Sequence, residues 1–108
     1  MSEKRDGKQD SGVGLKDREK IKLQKPPKYK ILMYNDDYTP MQFVSDLIVT
    51  VFHKTRPQAD EITIRIHKAN KAIVGVYTRE IADTKKHVCV SLSKASGHPL
   101  MVEIEPEE

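Results

Sequence analysis

Three kinds of side chain in this sequence have the type and spacing to do chemistry. Asp36 and Asp37 are adjacent within Asn35-Asp36-Asp37-Tyr38, and paired carboxylates serve proton transfer or hold a divalent cation. The same residues after an apolar run also make an Asx turn, in which short polar side chains bond nearby amides. The histidines are His53, His67, His87 and His98; no two have the spacing of a metal-binding pair, so no metal site is expected. His67 stands out because on a helix it shares a face with Thr63, four residues earlier, beside Ile66. Cys89 is the single cysteine and lies between Val88 and Val90, the setting of a small buried residue rather than a nucleophile. Among five glycines none forms a phosphate-cradling loop. These residues assemble no catalytic set and imply no cofactor.

The elements that must position these residues follow from pattern. Tyr29 to Tyr34 is β-branched and aromatic between prolines and the Asn-Asp-Asp turn, and reads as a strand. Thr39-Pro40-Met41-Gln42 reads as a helix start, with Thr39 as cap, Pro40 at the first position and Gln42 closing a capping box. The helix runs to about His53, with Val44, Leu47, Ile48 and Val51 on one face and Phe43 and Phe52 alongside. Thr55-Arg56-Pro57-Gln58 repeats the start signal. Ile62, Ile64 and Ile66 alternate as a strand would, but the caps, the Ala59–Ile62–Ile66 stripe and Asn70 as a left-handed stop predict a helix from Ala59 to Ala69. Ala72 to Tyr77 is a second strand. Thr78 then caps a third helix to about Lys94, with Ile81, Val88 and Leu92 predicted to face inward and Gly97 ending it. Leu100 to Ile104 is the last strand. The order β-α-α-β-α-β predicts an α+β sandwich, three strands with three helices on one face.

Composition narrows the classes. The chain has 108 residues, room for one core. Its net charge of +3 falls entirely within residues 1–25, which hold eight Lys/Arg against five Asp/Glu. Residues 26–108 balance eleven against eleven, which disfavours a phosphate-binding groove. Residues 1–25 contain no aromatic residue and read as a flexible N-terminal tail, in which Leu15 to Leu23 is the stretch able to fold on a partner. Residues 26–108 form the folded domain. No apolar run approaches a membrane span, the N-terminus lacks a secretory pattern, and one cysteine excludes an internal disulfide. A reduced, cytosolic protein is the expectation.

Asn35-Asp36-Asp37-Tyr38-Thr39-Pro40-Met41-Gln42-Phe43-Val44 resembles the NDDYTPMEFV signature of the ClpS family, the bacterial adaptors of the ClpAP protease. Further blocks match in order at Ile66-His67, at Lys71 to Thr78, at Ile81 to Lys85 and at His98-Pro99-Leu100, so the resemblance spans roughly Pro26 to Glu105. It implies an antiparallel sheet, no enzymatic activity, and an adaptor for N-degrons. Such an adaptor binds proteins through a free N-terminus with a bulky apolar first residue and delivers them to the Clp AAA+ unfoldase–protease.

By the same resemblance Asn35, Asp36 and His67 hold the α-ammonium. Thr39, Met41, Thr63, Ile66 and Leu100 line the pocket for the first side chain, with Asp37 at its entrance. Glu80 and Lys85 match positions that contact the unfoldase. The implied partners are substrate proteins and the N-terminal domain of a ClpA-type ring, for a monomeric adaptor in the bacterial cytoplasm that binds neither nucleic acid nor membrane. The tail, with a reach of about 25–30 Å if flexible, serves delivery. This chain departs from the family at Thr63, where a methionine is usual, which predicts altered selectivity for the first residue. It departs again at Asn70, where glycine is usual and a left-handed cap tolerates Asn. The rival class is a nucleic-acid- or ribosome-associated α+β module with a basic tail; a third is a small metal- or acid-dependent enzyme using Asp36, Asp37 and His67.

Overall fold

A computed structural model of the chain describes residues 26–107. The tail expected over residues 1–25, including Leu15 to Leu23, lies outside the described residues, as does Glu108. The elements are β1 (Lys28–Tyr34), α1 (Met41–Phe52), α2 (Arg56–Ala69), β2 (Lys71–Thr78), α3 (Arg79–Ala95) and β3 (Met101–Pro106). The order β-α-α-β-α-β and the α+β class are those read from the sequence, and the ambiguous Ile62–Ile66 stretch is helical.

The first strand is the centre of the sheet. Both β2 and β3 pair with it antiparallel, in the order β2-β1-β3. Ile31 stands opposite Gly75 and Ile104, and Met33 opposite Ala72 and Val102. The register slips between Ile31 and Leu32, which leaves Val74 as an extra residue of β2 and lets it join the core, 2% exposed. Gly75 at the bulge makes room for the Tyr77 ring: a Cβ there would sit 2.6 Å from it, and the ring would have to shift. Ile31, Met33, Val74 and Val102 meet Leu47, Ile48 and Val51 of α1 and Ala59, Ile62 and Ile66 of α2 in one buried cluster.

Helix boundaries follow the expected start signals, but two of the expected side-chain caps do not form: Thr78 stands at the N-cap of α3 without a side-chain bond, and the α1 cap also differs. Thr55 and Gln58 form a complete capping box: the Gln58 amide donates to the Thr55 hydroxyl at 3.3 Å, and the Thr55 amide to the Gln58 side chain at 3.1 Å. This starts α2 at Arg56, three residues ahead of the expected Ala59. Asn70 ends it at φ 74°. The box expected at Thr39 does not form. Pro40 is the N-cap of α1 without a side-chain bond, because the Thr39 hydroxyl donates to Asp36 and the Gln42 amide reaches forward to Asp46. The third helix differs more. Ile81, Val88 and Leu92 are 47, 37 and 42% exposed, not inward, and the buried face is Ala82, Cys89 and Ser93. Small residues there let α3 lie against all three strands, and the Ser93 hydroxyl is satisfied by the Cys89 carbonyl at 2.7 Å. The chain leaves α3 through Gly97 at φ 76°, with the His98 amide donating to the Ser93 carbonyl at 2.8 Å.

Candidate functional site

The end of β1, the turn after it, the start of α1, one face of α2 and the entry to β3 converge on a cleft. Asp36 organises the turn. One carboxylate oxygen accepts from the amides of Tyr38 and Thr39, each at 2.8 Å, and the other from the Thr39 hydroxyl at 2.8 Å. Burial pushes the Asp36 carboxyl up, but the Thr39 hydroxyl, the two amides and the neighbouring His98 outweigh it and hold the group below its ordinary value of 3.8. Asp36 is therefore a fixed anion at neutral pH. The adjacent Asn35 is tied from behind, its amide donating to the Asn70 carbonyl at 2.8 Å. That bond joins the turn to the end of α2, on which His67 sits.

Eight of the residues singled out in the sequence line this cleft: Asn35, Asp36, Thr39, Met41, Thr63, Ile66, His67 and Leu100. Asp37 does not; its side chain is exposed in the turn outside the lining. Tyr34 and Val44 line the cleft as well and were legible only by adjacency, Tyr34 as the residue before Asn35 and Val44 one helical turn after Met41. His98, noted in the sequence only as a histidine and in the His98-Pro99-Leu100 block, was given no site role. The Gly97 turn delivers it against Phe43, ring centroids 4.6 Å apart and edge to face, close enough to Asp36 to act on its charge. The lining combines polar acceptors (Asn35, Asp36 and His67) with apolar side chains (Met41, Val44, Ile66 and Leu100). Thr63 is 4% exposed, and its hydroxyl donates back to the Ala59 carbonyl at 2.8 Å, so the side chain adds little polarity to the lining. The free space within it is about 10 Å³, the room of one water.

Glu80 and Lys85 lie on α3, which contributes nothing to the cleft lining. They border a shallow groove with Ile81 and Thr84. Glu80 is exposed in the first turn, but the Lys85 ammonium is engaged within the protein. It donates to the Val51 carbonyl at 2.7 Å and sits 5.7 and 5.2 Å from the ring centroids of Phe52 and Tyr77. Among the described residues no three His, Cys, Asp or Glu side chains come together as a metal ion would require.

Comparison with known proteins matches this frame. The family model for the ATP-dependent Clp protease adaptor protein ClpS covers residues 24–103. The ATP-dependent Clp protease adapter protein ClpS of Ruegeria pomeroyi is 41% identical over 108 residues, all of this chain and 94% of its own. That of Phenylobacterium zucineum is 39% identical over 111 residues, 99% of this chain and 100% of its own. Among solved structures, Agrobacterium tumefaciens ClpS2 bound to L-phenylalaninamide superposes with a TM-score of 0.74 at 37% identity, covering 77% of this chain and all of that one. Sequence over nearly the whole chain and fold over its described part thus agree, and the chain belongs to the ClpS family of ATP-dependent Clp protease adaptor proteins.

Proposed function

We propose that this protein is an adaptor that captures proteins by a free N-terminus with a bulky apolar first residue and hands them to the Clp AAA+ unfoldase–protease. The observation that carries the proposal is the ligand of the A. tumefaciens relative, L-phenylalaninamide: an apolar side chain on a carbon that bears a free amine. The cleft offers both halves of its complement. Asn35, Asp36 and His67 present an amide oxygen, a fixed carboxylate and an imidazole to the ammonium. Three of the roughly four lone-pair sites of Asp36 already serve its own turn, so its part is chiefly charge. Met41, Thr63, Ile66 and Leu100 receive the side chain, with Thr39 holding Asp36 in place and Asp37 outside the lining acting at most as entrance charge.

Magnitudes make both halves necessary. Burying a Leu- or Phe-sized side chain contributes about 1.5–3 kcal/mol, and each charge-assisted hydrogen bond about 1.5–3 kcal/mol. Less the cost of association, the sum reaches micromolar affinity, about −8 kcal/mol, only if both act. A fluorescence titration of a Phe-initiated peptide with and without N-terminal acetylation tests this. Acetylation is expected to abolish measurable binding; equal affinity for the two peptides rejects the ammonium assignment.

The finer parts of the proposal concern partners. The unfoldase is a ClpA-type ring contacted by its N-terminal domain through the start of α3, where Glu80 and Ile81 are exposed and Lys85 shapes the surface from below. The adaptor acts as a monomer in the bacterial cytoplasm, performs no catalysis, and uses residues 26–108 for recognition and 1–25 for delivery.

A further inference from the structure

Beyond the Asp36 turn, three separate stretches wall the cleft: Met41 and Val44 on α1, Thr63, Ile66 and His67 on α2, and Leu100 just ahead of β3. The Asn35 amide, bonded to the Asn70 carbonyl, ties the turn before α1 to the end of α2. Leu100 stands outside that tie. Its neighbour Met101 pairs with Tyr34 in the sheet, so β3 holds Leu100 from its C-terminal side. What holds it from the other side is Gly97-His98-Pro99.

Those three residues form a stiff arm with a fixed root. Gly97 turns the chain at φ 76°, a conformation open to glycine at little cost, and the His98 amide donates to the Ser93 carbonyl at 2.8 Å. Pro99 locks its own φ and restricts His98 to extended backbone, so a displacement of His98 is passed on to Leu100. The His98 ring rests on Phe43, with centroids 4.6 Å apart and 65° between the planes, an edge-to-face arrangement that ring quadrupoles favour. Phe43 lies in the first turn of α1, between the wall residues Met41 and Val44. The ring contact therefore joins the Leu100 wall to the α1 wall from outside the cleft, which His98 itself does not line. The half-buried imidazole also stands near enough to Asp36 for their charges to interact, so it backs the turn as well.

Resting on the proposed function and deepening it, we infer that His98 is a positioning residue for N-terminus capture: its ring on Phe43 sets the Leu100 wall at the spacing that grips the first side chain. It touches no ligand and acts through Leu100. The contact is the counterpart of the Asn35–Asn70 bond, and together the two fastenings join all three walls.

The test is a titration of a Phe-initiated peptide against variants of the full chain, with Tm measured in parallel. His98→Ala should weaken binding about three- to tenfold, the range of one edge-to-face ring contact. His98→Phe keeps a ring on Phe43 and should restore the affinity. Leu100→Val shortens the wall, so in that background His98→Ala should cost at most about twofold in affinity, while lowering Tm as much as it does alone. A histidine that only stabilises the fold gives equal affinity losses in both backgrounds, and that result overturns the proposal. Unchanged affinity in His98→Ala, or no restoration by His98→Phe, overturns it too, and in each case the adaptor function stands. Should His98→Ala not fold, His98→Leu, which keeps bulk without a ring, takes its place in every comparison. Absence of binding by the wild-type chain removes the adaptor function and this role together.

Discussion

Asp36 carries its charge at the cost of most of its hydrogen-bonding capacity. Two amides and the Thr39 hydroxyl hold it in one geometry, and the same bonds keep its folded-state pKa below the unfolded one. The sign follows from linkage: a depressed carboxyl contributes stability above its unfolded value, and that contribution falls away as pH drops through the folded value. Wild type should therefore melt above Asp36→Asn by a constant margin at neutral pH, and the margin should shrink once pH falls below about 3.8. A margin unchanged down to about pH 3 in thermal melts would show that the turn does not depend on the ionised form. At this scale the sequence was informative because the turn is local. Asn35 to Thr39 are consecutive, and their bonds close within three residues. It misplaced the Thr39 hydroxyl for the same reason, since a residue ahead of a helix can cap forward or bond backward, and only the position of Asp36 decides between them. His98 was illegible: its approach to Asp36 depends on how α3 ends, sixty residues away in the chain.

Among the elements, α3 has the most to teach. Hydrophobicity alone assigned its inner face to Ile81, Val88 and Leu92, but close approach to a sheet selects small residues, and Ala82, Cys89 and Ser93 take that face. The apolar stripe one position over is left outside. By contrast α2 was legible from its ends, because a reciprocal cap and a left-handed Asn are local devices that outweigh a short alternating run. Lys85 is the tie between α3 and α1. Its ammonium satisfies the Val51 carbonyl, one of the acceptors a helix C-terminus leaves open, and lies over two rings. Lys85→Met keeps the stem and removes the donor, which should cost about 1–2 kcal/mol and lower Tm by about 5–10 °C. A calorimetric Tm within about 1 °C of wild type would mean the tie is idle. The measurement also matters for partner binding, because a loss of unfoldase affinity in this variant reports a shifted α3 as much as a missing contact.

For the whole molecule, the uneven charge distribution sets residues 1–25 apart from a balanced domain, the division of tasks proposed above. The balanced domain presents the cleft and a surface on α3 that does not border it, while the +3 excess lies wholly in residues 1–25. Removing those residues should leave the affinity for a Phe-initiated peptide unchanged and stop acceleration of substrate degradation by the Clp ring; a coupled binding and degradation assay measures both. Weakened peptide binding by the truncated chain would place part of the recognition in the leader and erase the division. One bond within the domain also has a dynamic meaning. The Asn35 amide and the Asn70 carbonyl join the turn that presents Asp36 to the helix end beside His67, so both sides of the proposed ammonium site share one fastening. If α2 frays at its last turn, the acceptors lose their mutual alignment together. Hydrogen exchange at the single Asn35 amide then becomes a gauge of how much of the population holds a preassembled grip, read before any substrate arrives.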